Sequence, residues 1–199
     1  MKKLIKWAIA LMLITMIINS MPTEAEGDIY SDTIRLHILA NSDSTLDQSL
    51  KLSVRDELLT KYGSKLKNLS SIEAAEEKIK HLMPNMKKDI ETWLSERGFP
   101  YSVDIKLGSE WYETRDYGDF SLPAGKYLSL QILLGRAEGQ NWWCVMYPPL
   151  CLDMASEAAP ADDGLINYTN SEISLINQEK YNIKFKILEE LSRAFSKNS

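Results

Sequence analysis

The chain has 199 residues and a mass of 22.7 kDa, room for one domain of ordinary size; 44% hydrophobic and 26% charged residues exclude disordered and low-complexity classes. Two cysteines are too few for a disulfide scaffold and two histidines too few for a histidine-rich metal site. Twenty-three Lys plus Arg against 28 Asp plus Glu give a net charge of −5, and no basic stripe is present, so nucleic acid is not an expected partner.

Lys2, Lys3 and Lys6 precede an apolar run, residues 7–18, in which Thr15 is the one polar side chain. A span needs about 20 apolar residues, so the run fits a secretory signal better, with a short membrane anchor as the other reading. Thr23-Glu24-Ala25 offers a small-residue cleavage site, and cutting after Ala25 leaves a net charge of −7. The expected organisation is a signal peptide or short anchor over 1–25 and a single exported domain over 26–199.

Ile34, Leu36 and Ile38 alternate with Arg35 and His37, the period of a half-buried strand. Asn41-Ser42-Asp43-Ser44 stops it and supplies N-cap oxygens for a helix over about 45–61. Ser70 and Glu73 read as a capping box opening a second helix that ends at Gly98, with Pro84 expected to kink or split it. Val103, Ile105 and Leu107 mark a strand that continues to Tyr112. A loop over 113–125 follows, then strands over 127–134 and 141–146, joined through 135–140 as a hairpin. Residues 156–163 read as an exposed loop, and Ile183, Ile187, Leu191 and Ala194 as a C-terminal helix. The order β-α-α-β-β-β-α predicts an α+β domain with a largely antiparallel sheet packed by helices.

Residues able to carry chemistry are few. His37, near Asn41 and Asp43, could act as a general base, or could be a strand histidine bonded to a neighbour. No Gly-x-Ser-x-Gly or Ser-x-x-Lys nucleophile motif occurs, and no glycine-rich phosphate loop, so no cofactor is expected. Cys144 and Cys151 bracket a loop with two prolines; in an oxidising compartment they read first as a disulfide, with free thiols or a metal as alternatives. Trp142 and Trp143 must point to opposite faces of their strand, and an outward indole beside Tyr147-Pro148-Pro149 would suit a partner protein. Glu113, Arg115 and Tyr117 sit on a loop, where recognition residues concentrate.

Three ordered blocks resemble the stage II sporulation protein R family. They are Arg35-Leu36-His37-Ile38-Leu39-Ala40-Asn41-Ser42-Asp43-Ser44 with Asp47-Gln48 and Lys51-Leu52-Ser53-Val54-Arg55-Asp56; then Glu113-Thr114-Arg115, Tyr117-Gly118 and Leu122-Pro123-Ala124-Gly125-Lys126-Tyr127; then Gly139-Gln140-Asn141-Trp142-Trp143-Cys144-Val145-Met146-Tyr147-Pro148-Pro149-Leu150-Cys151. The resemblance implies a sporulation signalling protein exported from the forespore into the space between the forespore and mother-cell membranes. It implies as partner a membrane-embedded aspartic protease, activated to process the precursor of sigma factor E, and a chain that is not itself an enzyme. Glu113, Arg115, Tyr117, Trp142, Trp143 and Tyr147 are the expected contact residues, with the motif residues His37, Asn41 and Asp43 beside them. The rival expectation is an exported hydrolase of cell-wall material using His37 with Asp43 or Cys144.

Overall fold

The computed structural model describes residues 2–20, 24–67, 69–117, 120–150, 168–169, 173 and 176. The fold is mixed α+β, built on a mostly antiparallel four-stranded sheet with helices. The chain gathers into two compact units. One comprises 29–110 with 126–169; the other comprises 1–28, 111–125 and 170–199.

Helices α1 (Lys2–Ser20) and α2 (Glu24–Ser31) precede strand β1 (Ile34–Leu39). From Leu4 to Ile14 the large apolar side chains of α1 stand in solvent, with Leu4 and Trp7 each 75% exposed. Among the described residues no helix is long and apolar enough to cross a membrane. Ala25, the expected cleavage residue, falls in α2.

Helix α3 (Thr45–Tyr62) begins where expected, because the Ser44 hydroxyl accepts from the Asp47 backbone N–H. Helix α4 (Ile72–Glu96) is capped one residue later than expected: Ser71, not Ser70, accepts from the Ala74 N–H. Pro84 does not divide α4, which runs on through it; Pro84 and Lys80, whose carbonyl it deprives of a donor, are both exposed residues. Ala75, Ile79, Met86, Ile90 and Leu94 form the buried face of α4. Helix α3 packs on α4 and on β1, and its last turn is fastened through Asp89, which Tyr62 and Lys61 both bond.

Strands β2 (Val103–Tyr112), β5 (Gly125–Leu134) and β6 (Asn141–Tyr147) complete the sheet in the order β2-β5-β1-β6. The expected hairpin between the last two strands does not form: β1 lies between them, parallel to β5 and antiparallel to β6. The reason lies in β1, five of whose six residues are buried. A strand covered on both faces and rich in Ile and Leu belongs at the centre, where both of its edges find backbone partners. The stretch over 113–125, expected as a loop, contains a two-stranded ladder of β3 (Arg115–Asp116) and β4 (Ser121–Leu122), closed by Tyr117 N–H on the Phe120 carbonyl at 2.8 Å. The expected exposed loop over 156–163, the expected C-terminal helix and Cys151 lie outside the described residues.

The connection from β5 to β6 passes over the end of β1 and touches it closely. Gly139 donates to the Ala40 carbonyl at 3.0 Å, and a Cβ at Gly139 would overlap the Ser42 backbone carbonyl. Backbone on both sides leaves no room to adjust. We expect Gly139→Ala to lower the unfolding free energy by about 2 kcal/mol in urea titrations, the usual range for overpacking. Gly108→Ala, where the added Cβ meets nothing within 4 Å, should cost no stability.

Candidate functional site

The motif residues after β1 form a closed polar network centred on Asp47, which is 3% exposed. Its Oδ2 accepts from Asn41 Nδ2 at 2.9 Å and Ser42 Oγ at 2.6 Å, and its Oδ1 from the Tyr101 hydroxyl at 2.9 Å. Burial alone would raise this carboxyl's pKa, but the bonds from Ser42, Asn41, Tyr101 and Ser44 favour the charged form and hold it below the ordinary value. The same bond to Asp47 pushes the Tyr101 phenol upward.

The rest of the loop reaches the connection before β6. Asn41 Oδ1 accepts from the Arg136 N–H at 3.0 Å, and Asp43 Oδ1 from the Gln140 N–H at 2.6 Å. Lys51 Nζ donates to Gln48 Oε1 at 2.6 Å and to the Gln140 carbonyl at 2.9 Å. Desolvation lowers the Lys51 pKa, with nearby Asp43 opposing it. Asn41 and Asp43 therefore serve as braces between two backbone segments.

His37 lies elsewhere, on the sheet face reached by Arg35 and Thr33. The sequence predicted a half-buried strand with a polar, open side, yet His37 is 4% exposed and Arg35 and Thr33 are 0% exposed. His37 Nδ1 lies 3.0 Å from Glu110 Oε2, and its ring stacks on Trp143 at 3.7 Å and 22°. The Arg35 guanidinium lies 4.9 Å from the centre of the Tyr127 ring, and Thr33 Oγ1 lies 2.8 Å from the Tyr168 hydroxyl.

The two tryptophans do point to opposite faces. Trp143 pairs with His37 in the sheet register, whereas Trp142 pairs with Ile38 and lies under Arg55 of α3, 5.1 Å from ring centre to guanidinium. Both are half-buried. Cys144 pairs with Leu36, so it projects to the face opposite His37. No Cys–His pair can form from that register, and Asp43 is committed to Gln140. The register thus sets His37 and Cys144, both named for the rival hydrolase, on opposite faces of the sheet. Among the described residues no group of three or more His, Cys, Asp and Glu is placed to hold a metal ion.

Of the expected contact residues, Glu113 and Arg115 are exposed, and Tyr117 is half-buried with its ring 4.9 Å from that of Phe120. Tyr147 does not fit: it is 5% exposed, because its strand position turns the ring into the core. Sequence reasoning assigned no role to Glu110, Tyr101 or Arg35. Glu110 lies on the strand that continues to Tyr112, and nothing local reveals a partner 73 positions away.

Removing the hub carboxylate leaves half-buried donors from Asn41, Ser42 and Tyr101 without their acceptor. We predict that Asp47→Ala costs about 3 kcal/mol in denaturant titrations. Because folding depresses this pKa, the stability it contributes is present above the ordinary Asp value of about 3.9 and is lost as pH falls below that through the folded value. Acid titration of the native chain should show this loss, and Asp47→Asn should flatten it.

Comparison with known proteins places this geometry in a family. The family described as Stage II sporulation protein R matches residues 30–157, which include β1, the Asp47 network and β6. The Stage II sporulation protein R of Bacillus subtilis (strain 168) is 38% identical over 132 residues, 66% of this chain and 59% of that protein. The match therefore spans about three-fifths of that relative's length. No solved structure matches the chain. On the extent of the family match, this chain belongs to the stage II sporulation protein R family.

Proposed function

We propose that this chain is an exported sporulation signal that works by binding. It is made in the forespore and leaves through its N-terminal segment. In the space between the two membranes it activates a membrane-embedded aspartic protease, which then processes the precursor of sigma factor E in the mother cell. Family membership supports the sporulation role. The observation that carries the choice of binding over catalysis is the fate of the polar motif: Asn41 and Asp43 brace backbone, and His37 and Cys144 face apart. The apolar run of α1, exposed from Leu4 to Ile14 and preceded by Lys2 and Lys3, supports export.

Activation by binding requires tighter association with the active than with the inactive protease, by about 3–5 kcal/mol for a shift from mostly off to mostly on. Arg and aromatic anchors supply such differences. Arg115 and Glu113 on the small ladder, and Trp142 beside Arg55 on the sheet unit, are the contact residues in this reading. Cys144 pairs with Cys151 in the oxidising space, which the mass of the exported chain would reveal as a gain of two hydrogens on reduction.

The test is reconstitution in a host without the sporulation programme, expressing the sigma precursor and the candidate protease with or without this chain. Precursor cleavage should require all three. Arg115→Ala and Trp142→Ala should each reduce cleavage at least about tenfold, with the unfolding midpoint unchanged in Arg115→Ala and lowered in Trp142→Ala, whose indole packs against Arg55. Cleavage independent of this chain would overturn the proposal, and full activity in both variants would overturn the contact residues.

A further inference from the structure

Strand β2 is an edge of the sheet: among the described residues, β5 is its one neighbouring strand. The Ser102 carbonyl accepts from the Gly135 N–H of the turn after β5. By the alternation of a strand, even-numbered residues bond inward to β5. Val103, Ile105 and Leu107 therefore turn their N–H and C=O groups to the open edge. Ile105 and Leu107 are half-buried, while Asp104 and Lys106 are exposed on the other face and lie 3.2 Å apart.

Edge strands are commonly guarded by charge, which repels a second edge. Here the charges are ordered so that they do the reverse. In Ser102-Val103-Asp104-Ile105-Lys106-Leu107-Gly108, antiparallel pairing about Ile105 sets Asp104 opposite Lys106 of the other copy, twice. Val103 then meets Leu107 and Ile105 meets its own counterpart. A shift of two residues in pairing sets either Asp104 against Asp104 or Lys106 against Lys106. An odd shift places the apolar face against the charged one. One register alone satisfies both faces. In it, Ile105 is a hydrogen-bonded pair and the Asp–Lys positions are the closer, non-hydrogen-bonded pairs, where side chains interact most.

We propose that β2 is a self-recognition edge, and that two copies of this chain join there, antiparallel about Ile105, into one continuous eight-stranded sheet. The interface is isologous and closes on itself. It does not depend on the activator reading, because its test concerns this chain alone.

Sedimentation equilibrium of the full chain, in a density-matched nonionic detergent that shields α1, is the experiment. The native chain should sediment as a dimer at micromolar concentration. Lys106→Asp, which sets Asp against Asp twice, should weaken dimerisation at least about tenfold with circular dichroism unchanged. The double variant Asp104→Lys with Lys106→Asp restores opposite charges and should recover the dimer. A native monomer at 100-fold higher loading overturns the proposal. So does a dimer indifferent to Lys106→Asp, which assigns association to another surface, and so does a folded double variant that stays monomeric.

Discussion

The burial of β1 on both faces is the constraint from which the rest follows. Its Ile34, Leu36 and Ile38 enter the core beside the equivalent residues of β5, and its Arg35 and His37 are covered as completely on the other side. A strand so enclosed must bond on both edges, which forces β5 and β6 apart and sends the chain from 135 to 140 across its end. That crossing is what the Asp47 network holds. Asn41, Asp43 and Lys51 each bond backbone atoms of the crossing, and Gly139 allows the backbones to meet.

This arrangement explains why a motif dense in polar residues need not be a catalytic one. The carboxylate of Asp47 and the ammonium of Lys51 are buried and must be satisfied by neighbouring polar groups, and the cost of leaving either unmet is high. Asn, Ser, Asp, Gln and Lys at these positions do that work. The same sheet register separates the remaining reactive groups, placing His37 with Trp143 and Cys144 with Leu36. Glu113 and Arg115 on the ladder, and Asp104 and Lys106 on β2, are exposed, and the contacts proposed above fall on them.

Much of the fold was legible in the sequence, because its signals are local. The Ser44 cap, the four-residue period of α3 and the alternation of β2 each depend on neighbours within a few positions. The sheet order was not legible. Adjacent strands with a six-residue connection look like a hairpin, and only the non-local burial of β1 decides otherwise. His37 was legible as a residue of interest but not in its surroundings, since Glu110 lies 73 positions away. Tyr147 misled for a related reason: an aromatic beside two prolines looks like a surface feature until its strand's inward face is known.

The central proposal is that this chain acts on its partner by occupancy and performs no chemistry there. Titration of the purified chain onto the candidate protease in sealed vesicles, with precursor cleavage as readout, tests it most directly. The account predicts that activity saturates with bound chain and falls again when the chain is diluted or washed away. Lasting activation by amounts far below one chain per protease would contradict it, because only a catalyst outlives its own binding.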